Sequence, residues 1–428
     1  VGVRLLSGAA ALVLAAQALV FALWPDAHAL LIDLQVYRAG GEHVLAGGPL
    51  YAGGVLLDLP FVYPPFAAVL FAPLALLPLD LLKAVWTGAG IALLAFVVHR
   101  CAPRAGWPVV VLVAVVATAL DPVRTTLYLG QINIVLLALV VGDLLGRPGS
   151  RLRGVGVGLA AAVKLTPLLF VVYLAATRRW RAAATALATF AAAAGLGFLL
   201  APADSVTFWL DGTFLAADRI SDVAGPSNHS LNGLLARLGA EGLPWLAAAA
   251  VLGAGTIALA VRAHRSGEEL LAVTLCGLAS AALAPFAWSH HYVWAIPLAV
   301  LLGTRVLVGD RLAAAGLAGV LATTVAVVTA LPGPQVGPIP ATGLISFWPD
   351  AYLLLFLAAL AVAARSHTDR GAGTPTAAGV TFATRQCSCA TRANAPVRSA
   401  SAGGPSVEPP TLDTSRAWWV SRSVPTAM

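Results

Sequence analysis

Few residues in this chain are suited to chemistry, because almost all of it is apolar. The first is Asp33, in the run Ile32-Asp33-Leu34-Gln35-Val36-Tyr37 just beyond the first hydrophobic segment. A carboxylate at the edge of an apolar span is poorly solvated on one side and reachable on the other, which suits a general base. The plainer alternative is an aspartate that ends a helix in a hydrated loop. The second is Lys164, in Lys164-Leu165-Thr166-Pro167. A lysine inside an apolar segment costs on the order of 3 kcal/mol, so it is a functional candidate unless its ammonium snorkels to an interface. Beside a Thr-Pro break it sits where a half-helix turns, able to meet a phosphate.

Three further stretches carry polar side chains at the ends of apolar ones. Asp121-Pro122-Val123-Arg124 leads into Gly130-Gln131-Ile132-Asn133, which begins a helix. Gln131 and Asn133 near a helix N-terminus suit an anion or sugar hydroxyls; simple capping is the alternative. Pro226-Ser227-Asn228-His229-Ser230-Leu231-Asn232-Gly233 offers Asn228 and Asn232 to sugar hydroxyls. Trp288-Ser289-His290-His291-Tyr292 sets two histidines among aromatics. Adjacent histidines on a helix point about 100° apart and do not chelate one metal as an i, i+4 pair does. A single imidazole facing a cavity could donate to a phosphate or orient a base; the aromatics alone fit an interfacial belt. No metal site is expected, and Cys387-Ser-Cys389 in a polar stretch is too little for one.

These residues need elements to hold them, and composition says which. Of 428 residues, 59% are hydrophobic and 11% charged, with mean hydropathy +0.86. A soluble domain carries about 25% charged residues, so this is an integral membrane protein. The net charge of +7 comes from arginines in short loops between apolar runs and is no nucleic-acid signature. The run Leu5–Trp24 precedes Ala27-His28-Ala29, which imitates a signal-peptidase site. A run of about 20 residues is long for an h-region of about 7–15, so it reads as an uncleaved first span.

Further spans are expected at 79–99, 107–120, 133–146, 181–201, 244–263, 269–286, 291–307, 311–331 and 347–365, with broken stretches at 64–78 and 153–177. The expected fold is all-α and polytopic, with about ten full spans plus re-entrant half-helices, about 12 in all. With the N-terminus inside and 153–177 entering and returning, fourteen arginines are cytoplasmic and only Arg38, Arg124, Arg219 and Arg237 lie outside. The polar segments 25–63, 121–132, 202–243 and 332–346 then face outward together with the 288–292 stretch. Residues 1–365 form the membrane domain, and the Ser/Thr/Pro-rich 366–428 reads as a disordered cytoplasmic tail.

Six short motifs occur in order: Asp33-Leu34-Gln35-Val36-Tyr37, Tyr63-Pro64-Pro65-Phe66, Gly130-Gln131-Ile132-Asn133, Lys164-Leu165-Thr166-Pro167, Asn228-His229-Ser230-Leu231-Asn232-Gly233 and Trp288-Ser289-His290-His291. On these the chain resembles glycosyltransferase family 87, bacterial polyprenyl-phosphate-mannose-dependent mannosyltransferases of the GT-C membrane type. The resemblance implies a plasma-membrane enzyme, with an extracytoplasmic site and cytoplasmic termini, that moves a hexose from a polyprenyl-phosphate sugar to a lipid or glycolipid acceptor. It implies Asp33 as base of an inverting transfer, and His290, His291, Lys164 and Arg124 at the donor phosphate. Tyr37, Gln131, Asn133, Asn228 and Asn232 would then meet sugar or acceptor. No cofactor and no obligatory metal are expected. Family members more often have Gln where this chain has His229. The rival class is a transporter or lipid flippase, which also uses broken helices and a buried lysine. The polar residues here cluster on one face rather than along a pathway, and no internal symmetry is evident.

Overall fold

A computed structural model describes residues 2–23, 31–147, 149–216, 219–326 and 349–371. The chain runs α1 (Gly2–Leu23), α2 (Ile32–Ala46), β1 (Gly54–Leu56), β2 (Leu59–Pro60), α3 (Pro65–Phe71), α4 (Leu79–Cys101), α5 (Trp107–Ala117), α6 (Asp121–Leu129), α7 (Asn133–Leu144), α8 (Val155–Val163) and α9 (Leu168–Ala176). It continues α10 (Trp180–Leu200), α11 (Pro202–Trp209), α12 (Leu231–Arg237), α13 (Leu243–Arg265), α14 (Glu269–Ala282), α15 (Ala295–Val306), α16 (Arg311–Ala326) and α17 (Ala351–Gly371). Short 3-10 turns cover Ala72–Leu76, Thr213–Leu215 and Ser289–Trp294.

Among the described residues four helices are long and apolar enough to cross a membrane: α1, α4, α10 and α13. A fifth exists if α5 and α6, bent by 79° at their junction, count as one. The expected bundle of about ten full spans is therefore corrected to four or five. The reason is length. At 1.5 Å per residue, α7, α14 and α15 extend only about 18–21 Å, against about 30 Å of bilayer core. Much of their hydropathy serves burial inside the protein: α14 is buried from Leu271 to Ala279 without interruption. The long helices instead keep large apolar side chains exposed, such as Leu12 and Leu19 on α1, Leu81 and Val85 on α4, and Leu187 and Leu199 on α10. The fold is also not wholly helical, because β1 and β2 pair as an antiparallel hairpin. The chain is thus a membrane protein that combines long apolar helices with short buried ones.

Three breaks shape the interior. The α5–α6 bend precedes Pro122 in the first turn of α6, a position where proline's missing N–H is harmless. Between α8 and α9, Lys164 is extended (φ −149°, ψ 130°); Pro167 lacks an N–H and disfavours helix in the residue before it. After α14, the segment around Pro285 leads into the 289–294 turn, which packs against α6, α7 and α14. That turn fits because residue 277 is glycine: a Cβ there would lie 1.9 Å from the Trp294 ring.

Gly130 does similar work at the α6–α7 junction. It is left-handed (φ 74°), and a Cβ on it would lie 2.7 Å from the Leu34 Cβ. Only glycine allows both the turn and the approach to α2. The Ser/Thr/Pro-rich stretch expected to be a tail falls outside the described residues from 372 onward, as does the expected outward segment 332–346.

Candidate active site

Asp33 lies in the first turn of α2, and Tyr37 follows one turn later on the same face. The Gly130 junction brings Gln131 against them. The Tyr37 hydroxyl donates to Gln131 Oε1 at 2.8 Å and lies 2.9 Å from the Tyr63 hydroxyl. Tyr63 also approaches Gln131 Oε1 at 3.3 Å. With its oxygen turned to the tyrosines, Gln131 lies close enough to Asp33 to lower the pKa of its carboxyl. Tyr37 is fully buried and stacked on Phe71 at 4.7 Å.

The second half of the cluster centres on Lys164. Its ammonium donates to Asn133 Oδ1 at 3.3 Å and contacts His291 Nε2 at 2.7 Å. With the ammonium donating, His291 accepts at Nε2 and is neutral, its proton on Nδ1. His290 packs edge-on to His291 at 4.8 Å and stacks on Trp288 at 5.6 Å. Asn133 Nδ2, His290 Nε2 and His291 Nδ1 are all buried and have no hydrogen-bond partner among the described residues. Each unpaired buried polar group costs about 1–3 kcal/mol, so three around one cation mark a place built for something else. A small cavity of about 30 Å³ opens there, lined by Asn133, Lys164, Ser280, His291 and Trp294 among others. A larger one of about 590 Å³ lies away from the cluster, between Phe96, Leu139, Gly142 and Arg147.

Burial pushes Asp33 up to about 6, while the Gln131 hydrogen bond and the charge of Lys164 pull the other way. A carboxylate so poised is ionised at neutral pH yet basic enough to take a proton.

Asp33, Gln131, Asn133, Lys164, His290 and His291 therefore gather, with Tyr37 behind them. Arg124, Asn228 and Asn232 are occupied elsewhere. Arg124 pairs with buried Asp121 at 3.0 Å, whose other oxygen accepts from Tyr352 at 3.0 Å. Asn228 donates to Val223 and accepts from the Ser230 and Ala287 amides; Asn232 donates to the Pro285 carbonyl. These contacts brace the segment that delivers Trp288 and the histidines. His229 joins the bracing, its Nδ1 2.8 Å from the Pro349 carbonyl, and burial pushes it down to about 4. Tyr63 is the residue whose part the sequence did not reveal; its only signal was a place before Pro64-Pro65. Among the described residues no cluster of three or more His, Cys, Asp or Glu could hold a metal ion.

A profile of glycosyltransferase family 87 matches residues 61–285, which includes Tyr63, Gln131, Asn133 and Lys164. The chain is 38% identical over 322 residues to a protein of Mycobacterium tuberculosis named polyprenol-phosphate-mannose-dependent alpha-(1-2)-phosphatidylinositol mannoside mannosyltransferase, covering 68% of this chain and 74% of that protein. It is 36% identical over 328 residues to the Mycolicibacterium smegmatis protein of the same name, covering 67% and 74%. A Mycobacterium tuberculosis protein named for phosphatidylinositol pentamannoside is 36% identical over 292 residues, covering 63% of this chain and 66% of that protein. No solved structure matches. Matched over more than half its length and by relatives of this identity, the chain belongs to glycosyltransferase family 87.

Proposed function

We propose that this protein transfers a hexose, mannose by its likeness to the named relatives, from a polyprenyl-phosphate donor to a lipid or glycolipid acceptor. Phosphatidylinositol mannosides are the acceptor class those relatives suggest. Asp33 is the general base: it takes the proton of the acceptor hydroxyl as that oxygen attacks C1 of the sugar. The C1–O bond to phosphate breaks as the new bond forms, and its electron pair leaves with the phosphate. One carboxylate and one displacement give inversion at C1. No strong general acid is needed, because a phosphate is already a good leaving group.

The observation that carries this reading is the pairing of two unlike halves. A half-buried carboxylate on α2 stands beside an ammonium ringed by unpartnered polar atoms of Asn133, His290 and His291. Lys164, Asn133 and a histidine would bind the donor phosphate and stabilise its charge as it departs. Arg124 has less claim to that role, since Asp121 holds it.

The test is donor choice. Membranes containing the protein, given phosphatidylinositol mannoside, should form a longer glycolipid from polyprenyl-phosphate mannose and none from a nucleotide-linked mannose once polyprenyl-phosphate mannose synthesis is blocked. Transfer from the nucleotide sugar alone would overturn the proposal.

A further inference from the structure

We infer that a bilayer phospholipid with an anionic head occupies the cavity of about 590 Å³ between α4, α7 and α8, one acyl chain inside it and the phosphate at Arg147. This second lipid site does not depend on the transfer reaction or on Asp33. It belongs to the end of the α7–α8 pair away from the catalytic cluster. Asn133 opens α7 and Lys164 follows α8, whereas Arg147 lies just beyond the last residue of α7. The 12 residues of α7 cover about 17 Å, so a head bound at Arg147 is too far from Lys164 to be donor or acceptor.

Helical spacing separates the two cavities. Val135, Ala138, Leu139 and Gly142 fall on one face of α7 and line the large cavity. Asn133, Leu136, Leu137 and Val140 fall on the opposite face and line the small one beside Lys164. Leu93 and Phe96 of α4 and Leu159 of α8 complete the apolar walls. A Cβ on residue 156 would lie 2.5 Å from the Leu139 carbonyl oxygen, and one on residue 142 would lie 3.1 Å from the Phe96 ring. α7 and α8 therefore approach backbone to backbone, and the space beside them is bounded by hydrocarbon. Its volume is within the range of about 300–1,000 Å³ usual for ligand sites. Leu152 and Arg147 in its lining are exposed, so an apolar chain can enter from outside.

The rim is cationic. Arg153 donates to the carbonyls of Leu144, Gly146 and Arg147 at 2.6, 3.2 and 2.8 Å, and Arg100 donates to that of Leu145. These guanidiniums satisfy the carbonyls at the C-terminus of α7, which would otherwise repel an anion. Asp143 is the one acid among the lining residues. Both its oxygens accept from the Gly154 amide at 2.9 Å, and one also from Val157 at 3.1 Å, so its charge is spent on the N-terminus of α8. Arg147 is left exposed, its guanidinium without an ion pair or hydrogen bond among the described residues. Arg100, Arg147 and Arg153 set against one occupied carboxylate, around an apolar hole, match a molecule with a hydrocarbon end and a negative end. A free anion would make no use of the walls, and a neutral lipid none of Arg147.

Photolabelling tests this. The full chain is placed in phosphatidylcholine nanodiscs with a small, equal fraction of either phosphatidylglycerol or phosphatidylcholine that carries a photoactivatable group on one acyl chain. Labelled peptides are then mapped by mass spectrometry. The phosphatidylglycerol probe should label α4 and α7 within residues 93–96 and 135–142, about fivefold more than the phosphatidylcholine probe, the preference one basic residue gives an anionic head. Arg147→Gln, a change at an exposed position, should bring the two probes level while labelling by phosphatidylcholine stays as it was. Ala138→Phe puts a ring into the cavity and should lower labelling by both; if that variant does not fold, Arg147→Gln decides alone. Equal labelling of the natural protein by the two probes, a preference that survives Arg147→Gln, or labels confined to other helices would overturn the inference. Polyprenyl phosphate serves as the competing lipid. If it removes the label more strongly than an equal amount of plain phosphatidylglycerol, the cavity belongs to a prenyl chain and the inference is also overturned.

Discussion

Lys164 occupies a place where a cation is expensive and is held by two contacts, Asn133 Oδ1 and His291 Nε2, neither of them negatively charged. Without a counter-ion in direct contact among the described residues, its charge would be free to act on the phosphate of the proposed donor as well as on Asp33. Lys164→Gln keeps a donor but removes the charge, and should lower kcat about 10²-fold, the loss typical of one transition-state donor. Steady-state transfer assays read this directly; a loss below tenfold would remove Lys164 from the phosphate site. This residue was legible in the sequence because it is one of only two lysines and stands in an apolar run. Asp33, Gln131, Asn133 and the paired histidines were legible for the same reason, as polar groups where apolar stretches end. Asn228, Asn232 and Arg124 look the same by that criterion, yet they bind backbone or Asp121. Composition marks a polar side chain as costly; it does not say whether substrate or protein satisfies it.

At the level of elements, the site is made by breaks. The α8–α9 interruption presents Lys164, the Gly130 turn presents Gln131 and Asn133, and the 289–294 turn presents the histidines. The first two were readable, since Thr-Pro and a glycine before a polar pair are local signals. The third depends on Gly277, twelve residues before the turn begins, whose missing side chain makes room for Trp294. Nothing local links the two. Gly277→Ala should force Trp294 from its place and destabilise the protein by about 1–3 kcal/mol, as overpacking does. Thermal unfolding in detergent should show a lowered midpoint together with reduced transfer; an unchanged midpoint would mean that the ring is not held against α14.

For the whole molecule, hydropathy identified a membrane protein but overcounted its spans. Average hydropathy is the same for a helix facing lipid and one enclosed by protein, so α7, α14 and α15 read as spans from sequence. Their 12 to 14 residues and their burial make them interior supports for the site. The long helices α1, α4, α10 and α13 are the ones long and apolar enough to cross a bilayer. Membership of glycosyltransferase family 87 favours the transferase over the carrier that broken helices also suggested. The profile match begins after Asp33 and ends before His290, so the roles proposed for Asp33 and the histidines rest on their placement around Lys164. Asp33→Asn keeps the size of the side chain and one acceptor oxygen but removes its charge and basicity. Mannose transfer from polyprenyl phosphate by membranes with equal amounts of natural and Asp33→Asn protein should drop by about 10²–10⁴-fold. Transfer within a few-fold of the natural rate would contradict a catalytic role for Asp33.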